Sequence, residues 1–425
     1  MKKLLIRKSK IKSSKSPYGI ESEIGSLSVK THAIVNADGK REYCSSLDFI
    51  PRTSPKESYR SIRYKELEYS FASTGSYRDT AAKLNRVRNQ ESGAKPTTVR
   101  NQIEREGLNI QEAKIRAAES AFTEHGFEPD GHKKPEVILD FTEAVQKTAD
   151  PGDVSGIASE LGVSANVSDY EDKDSVISIS VDEVCCKQQA ASRPSPNREK
   201  EPKQVRNTVI HVGHKKNGYI ITGETVQAAA LLLLGFLLKN NLLGIYPITF
   251  FADGAKNIKN TVSDYFGFVP YKYILDWPHL IKKTAELLSS SIQGRHKRNE
   301  VHEKLKLFLW QGDVAQSLLF LDSLSEDYIK SAEWLSKLKS YLKTNADCIP
   351  CYDIRKKLGL RVSSNIGEKA NDIVVARRQK HDGMAWSADG SLGLAAICAA
   401  HSNAELMAWI QGKSIDFGFR STSVA

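Results

Sequence analysis

Between Ser175 and His279 the chain alternates in an order that few folds accommodate. The stretch "VISISVDEVCCKQQ" has a period-two pattern that ends at or just beyond Asp182. Two further strand patterns lie in "NTVIHVGHKKNGYIITG", around a Lys-Lys-Asn-Gly turn. Period-two patterning about such a turn is a hairpin signal. "VQAAALLLLGFLL" (Val226 to Leu238) is apolar all round, too short to span a bilayer, and reads as a buried helix. Then come a buried strand, "YPITFFADG", the helix "AKNIKNTVSDYFG" and the strand "YKYILDWPH". A long helical region covers roughly 279–345, and "SSNIGEKANDIVVARRQKHDGMAWS" (Ser363 to Ser387) holds the last strong helix. The pattern predicts a mixed α/β fold in which three antiparallel strands are followed by helix-linked strands.

The preceding half is different. "LSVKTHAIV" and "REYCSSLDFI" are short strand-like patches. From Pro55 helical spacing takes over in "ESYRSIRYKELEYSFAST", followed by "GSYRDTAAKLNRV" and a third helix, "TTVRNQIEREG". Three short helices, the last opening on small hydroxyl residues, fit a helix-turn-helix-like module. Thr98, Arg100, Asn101 and Arg105 would then face a DNA groove or its phosphates; a plain three-helix bundle satisfies the same pattern. Residues 107–150 look helical but poorly patterned, and "DPGDVSGIASELGVSANVSDYEDKDS" is rich in Asp, Ser and Gly and reads as a linker.

Charge favours a polyanionic partner. The 425 residues carry 61 Lys and Arg against 51 Asp and Glu, a formal +10. Nucleic acid is the first partner this suggests and an anionic membrane surface the second. The first fifteen residues hold seven Lys or Arg and no acid. They read as a basic arm or a solvated tail, not a secretory signal or anchor, which places the chain in the cytoplasm. Six cysteines do not suggest a disulfide framework, and Cys348-Ile-Pro-Cys351 lacks a second pair to complete a zinc site.

Three acids fall on the elements that chemistry would use. Asp182 lies on the first strand and Asp253 ends the strand after the Leu-rich helix. An RNase H-like topology, which shares this strand order, would make the first strand central and those two strands neighbours, so the acids would approach each other. Like charges at adjacent strand positions are costly unless a cation is shared. Mg²⁺ supplies such a cation, with Mn²⁺ as a substitute, and two such ions can serve phosphodiester cleavage or strand transfer. Glu368 stands in the first turn of a helix whose apolar residues Ala370, Ile373, Val374 and Ala376 can pack on the sheet. Each acid has an ordinary alternative: Asp253 as turn chemistry before Gly254, Glu368 as a helix-dipole partner, and Asp182 exchanged with Glu183 on the opposite side of the strand.

The strand order is that of the RNase H-like fold, which other mixed α/β folds can share. Three stretches carry a closer resemblance. "FFADGAKNIK" resembles the second-Asp motif of bacterial insertion-sequence transposases of the DDE type, related to the Mutator-like group. "YILDWPHLIKK" resembles their Asp-x-x-His motif, at Asp276 and His279. "RVSSNIGEKANDIVVARRQKHDGMAWSADG" resembles their third-acid segment, with its Gly-Met-x-Trp-Ser ending. The likeness covers about 176–405 and, more loosely, 59–106. It departs at Gly367, where the family has a bulkier apolar residue, and at Asn365, where Gly is frequent; either change would loosen the start of the helix.

The resemblance implies Asp182, Asp253 and Glu368 as catalytic and metal-binding acids, with two Mg²⁺ ions. It also implies double-stranded DNA as partner (element ends and target), and a homo-oligomer assembled on it. His279, Arg377, Arg378 and Lys380 would contact DNA, with helix capping an equal reading for His279; Trp386 either stacks on a base or is buried. Asp253 and Glu368 are 115 positions apart, which leaves room for a helical insertion. The expected layout is a basic arm and strand-like region (1–54), the helix-turn-helix-like DNA-binding region (55–150), the linker (151–175), the first part of the RNase H-like core (176–278), the insertion (279–352) and the final core helices (353–425). A nuclease of the same fold and a catalytically silent, domesticated DNA-binding protein fit the same sequence.

Overall fold

The computed structural model describes residues 10–13, 18–29, 32–35, 41–44, 58–190, 203–380 and 384–419. Most of the basic arm, residues 191–202 and residues 381–383 lie outside them. The strand-like patches near the start form two small three-stranded sheets.

Five strands build the central sheet: β1 (Ile177–Lys187), β2 (Gln204–His214), β3 (Asn217–Gly223), β4 (Ile248–Ala252) and β5 (Tyr271–Leu275). Their spatial order is β5-β4-β1-β2-β3. β1, β2 and β3 pair antiparallel, while β4 runs parallel to β1 and β5 parallel to β4. The hairpin between β2 and β3 closes on Lys215 and Lys216, with Lys215 in the left-handed region at φ 53°. Helices α5 (Val226–Lys239) and α6 (Lys256–Phe266) make the crossovers that parallel pairing requires.

The pleat sorts β1 into two faces. Ile177, Ile179 and Val181 join a core with α5, α6 and the end of α3 (Pro96–Glu124). Ten of the fourteen residues of α5 are buried there, which accounts for its all-round apolar sequence. Val184 and Cys186, on the other face, pack with α1 (Ile62–Thr74), α2 (Tyr77–Val87), the start of α3, α11 (Asn365 to Gln379) and α12 (Ala388–Ser402). Four further helices, α7 (Trp277–Ser291), α8 (Arg295–Trp310), α9 (Val314–Asp322) and α10 (Ala332–Thr344), share a core of their own that meets the sheet at Phe251, Ile274 and Leu275. Among the described residues no helix is long and apolar enough to cross a membrane.

Two expectations are corrected here. The third N-terminal helix and the helical-looking residues after Gly107 are not separate elements but one helix of 29 residues, ending at Glu124. Gly107 survives inside it because α3 crosses α12 there at backbone contact: a Cβ on Gly107 would lie 1.8 Å from the carbonyl oxygen of Gly393. Tertiary packing thus outweighs the roughly 1 kcal/mol that glycine costs in a helix interior. Further along α3, Ala118, Ala121 and Phe122 pack with the Leu-rich helix, so the N-terminal helices are continuous with the α/β core. The second correction concerns the Asp/Ser/Gly-rich linker. It folds as α4 (Pro151–Leu161), with Asp150 capping its N-terminus and Gly162 ending it at φ 67°. Val154, Ala158 and Tyr170 of this stretch are buried with Ile354 and Leu360.

Candidate active site

Asp182 and Asp253 are brought level by strand register. β1 and β4 pair up to Ser180 and Phe251, and both acids lie two residues further along parallel strands. Asp253 leaves β4 into a turn, where its Oδ1 accepts the Ala255 N–H at 2.8 Å. Turn chemistry and membership of the acid cluster therefore coexist in one side chain. Glu183, the alternative to Asp182, points away and accepts from Asn257 Nδ2 at 2.6 Å. Asp182 faces α11 instead, accepting a hydrogen bond from Asn371 Nδ2.

Glu368 reaches this face because α11 lies very close to β1. A Cβ on Gly367 would meet the Ser180 Cβ at 2.5 Å, so only glycine lets the first turn sit against the strand. The departure from the family pattern, expected to loosen the helix, instead brings it in. A π turn over Asp372–Ala376 follows. Buried positions then recur every four residues, at Ala370 and Asn371, Val374 and Val375, Arg378 and Gln379. A regular helix would rotate such a series off the sheet; the wider π winding keeps it in line. Val374 and Val375 are accordingly fully buried in the core shared with Val184 and Cys186, against which Ile373 packs partly buried. We expect Gly367→Ala to cost about 1–3 kcal/mol through overpacking. Thermal melting should show the loss, and Ser180→Gly in the same chain should restore most of it.

Asp276 ties the parts together. Its carboxylate is wholly buried and caps α7, accepting the His279 N–H at 3.2 Å. The same oxygen meets His279 Nδ1 at 2.7 Å, and the other accepts the Ser364 N–H just before α11. Burial opposes charge on Asp276, but these donors outweigh it and hold the carboxyl below its ordinary range. His279 is pushed up, first by its bond to Asp276, against desolvation, and further by the charges of Asp276, Asp182 and Asp253. Helix capping belongs to Asp276, and the His279 ring is clamped by it.

The acids act on one another. Burial, then the Asp253 charge, pushes Asp182 up to about 6; Glu368 adds to the rise, while His279 and the Glu183 N–H partly offset it. Glu368 is exposed, and its side chain makes no hydrogen bond or ion pair among the described residues. Among those residues the one trio with ligand atoms within 4.8 Å of each other is Asp276, His279 and Glu368. Asp182, Asp253 and Glu368 share an electrostatic field without forming so tight a set. Both Asp276 oxygens accept N–H donors, as do Asp182 from Asn371 and Asp253 from Ala255, while the Glu368 carboxylate has no such donor among the described residues. Hard carboxylate oxygens with mutual repulsion to relieve suit Mg²⁺ or Mn²⁺.

The residues expected on DNA are dispersed. Thr98, Arg100, Asn101 and Arg105 are all exposed on the first turns of α3. Thr98, Asn101 and Arg105 line a polar cleft with Arg60 and Glu68, while Arg100 lines another with Tyr77 and Trp386. Arg377 and Lys380 are exposed. Arg378 is not available to a phosphate: it is 3% exposed, donates from Nε to Ala72 O at 2.9 Å, and packs over the Tyr77 ring. Trp386 is buried, with its indole N–H on Gln379 O at 3.1 Å. Asn371 was missed from sequence, although its place three residues after Glu368 puts it on the same helix face.

Fold and site together define a mixed α/β protein with an acid cluster and a clamped histidine where the parallel pairing of β1 and β4 ends. No protein-family model matches the chain, and no curated protein does. Among solved structures, the Drosophila P element transposase strand transfer complex is similar to 64% of this chain over 72% of its own, at 12% identity and a TM-score of 0.21. A likeness of that size bears on neither function nor site.

Proposed function

We propose that the protein is a DNA transposase of the DDE type, with an RNase H-like core that cuts and joins DNA strands. The observation that carries this reading is the pairing of Asp182 and Asp253, level on adjacent parallel strands and facing the helix of Glu368, with Asp182 pushed up to about 6. The strand order, with the first strand central, is the one an RNase H-like core requires. The basic balance and the exposed Arg100, Arg105, Arg377 and Lys380 suit double-stranded DNA, bound by an oligomer at the ends of an element.

Asp182, Asp253 and Glu368 would hold Mg²⁺ or Mn²⁺, which supplies Lewis-acid stabilisation of the phosphate and a more acidic attacking hydroxyl. The protein's own part is geometric. Strand register levels two acids, Gly367 seats the third, Asn371 orients Asp182, and Asp276 fixes the His279 ring beside them. Purified protein with duplex DNA should show nicking or cleavage on adding Mg²⁺ or Mn²⁺ and none with chelator. Absence of any metal-dependent strand breakage, on DNA carrying the sequences that flank its gene, would defeat the proposal. Replacing Arg100 and Arg105 by alanine should weaken DNA binding and lower the slope of log Kd against log salt by about 1–2, at roughly 0.9 per phosphate contact. An unchanged slope would return those turns to packing alone.

A further inference from the structure

The acid cluster opens into a cleft between the end of β4 and the insertion helices, lined by Asp253, His279, Lys282, Lys283, Glu286 and Tyr341. Four of these residues lie on α7, at His279 and three, four and seven positions beyond it, so they share one helix face. Lys282 and Lys283 are exposed. Lys283 makes only a long, exposed ion pair with Glu286 at 3.8 Å, and Lys282 has no ion pair among the described residues. The opposite wall is Tyr341 of α10, whose buried hydroxyl has no hydrogen-bond partner among the described residues.

We propose that this cleft is a phosphate subsite in which Lys282 and Lys283 hold the DNA strand one to two nucleotides away from the phosphate at the acids. The inference rests on the DNA-processing reading above and adds the path of the substrate strand. Three to four residues of helix advance roughly 4.5–6 Å at 1.5 Å each. One DNA strand rises about 3.4 Å per nucleotide, so a strand passing His279 presents its next phosphates at the two ammonium groups. The pair is on the same wall as His279, whose ring is fixed by Asp276, so this spacing is built into a single rigid helix. Glu286, one further turn along, ends the track with a like charge that repels phosphate.

The test is DNA affinity of the full-length protein, read by fluorescence anisotropy on a nicked duplex across a salt series. Ca²⁺ serves as the carboxylate-binding cation in one arm and chelator replaces it in the other. Lys282→Ala/Lys283→Ala is compared with Lys215→Ala/Lys216→Ala, which removes equal charge from the β2–β3 turn at the other end of β1. The cleft variant should lower the salt slope by about 1–2, lose more affinity than the turn variant, and show this excess mainly with Ca²⁺. Lys282→Arg/Lys283→Arg should restore binding. Equal losses in the two alanine variants, or an excess indifferent to Ca²⁺, would overturn the subsite. Cleavage by the wild type without the excess sinks the subsite alone; the excess without cleavage keeps the subsite and sinks the enzyme reading. Absence of DNA binding in the wild type removes both.

Discussion

Asp253→Asn and Glu368→Gln should each lower metal-dependent DNA cleavage by about 10³-fold or more, while DNA affinity changes by less than about twofold. The magnitude follows from losing several kcal/mol of transition-state stabilisation, at 1.36 kcal/mol per tenfold. The affinity comparison is made without metal, where removing a carboxylate lessens repulsion of phosphate and leaves Lys282 and Lys283 in the cleft that Asp253 lines. Both residues are exposed, and Glu368 has no partner to lose, so folding should be little affected. Rate and affinity measured on the same preparations separate the two effects. Near-wild-type cleavage by either variant would remove that acid from the chemistry.

The second large effect concerns stability and proton linkage at Asp182. Its folded value of about 6 lies above the ordinary 3.8, because burial and the Asp253 and Glu368 charges disfavour the ionised form. Between those values the folded protein binds a proton that the unfolded chain has released. The contribution of this group to stability is therefore present at low pH and is lost as pH rises through about 6. Without metal, Asp182→Asn should raise the melting temperature at neutral pH and lose that advantage below pH 4. Added Mn²⁺ should stabilise the wild type by about 2.7 kcal/mol at a hundredfold excess over Kd. That gain should be much smaller near pH 5, where protonation competes with the metal, and nearly absent in Asp182→Asn. A variant that melts lower than wild type without metal, or responds to Mn²⁺ as fully, would contradict the account.

The central sheet was legible because its signals are local. Period-two strands, a turn of Lys-Lys-Asn-Gly and an all-apolar helix each declare themselves within a few residues, and their succession restricts the topology. The face on which Asp182 lies also follows from period two once the strand is placed, with Glu183 necessarily on the other side. The miscalled parts depend on contacts distant in sequence. Gly107 looks like a helix end until Gly393 is found against it, 286 positions away in the chain. Gly367 looks like a weak helix start until Ser180 is seen beneath it. The burial of Arg378 follows from the π turn, which carries that position inward, and from Ala72, which accepts its hydrogen bond. The Asp/Ser/Gly-rich stretch around Val154 read as a linker because its few apolar residues are sparse; they are buried only when Ile354 and Leu360 return to cover them.

The most direct measurement is anomalous scattering from crystals of the protein grown with Mn²⁺. The account predicts density about 2.1 Å from carboxylate oxygens of Asp182 and Asp253, with Glu368 turned towards the same site and Asp276 still bonded to His279 and Ser364. Mn²⁺ held by Asp276, His279 and Glu368, with Asp182 and Asp253 left unligated, would contradict it.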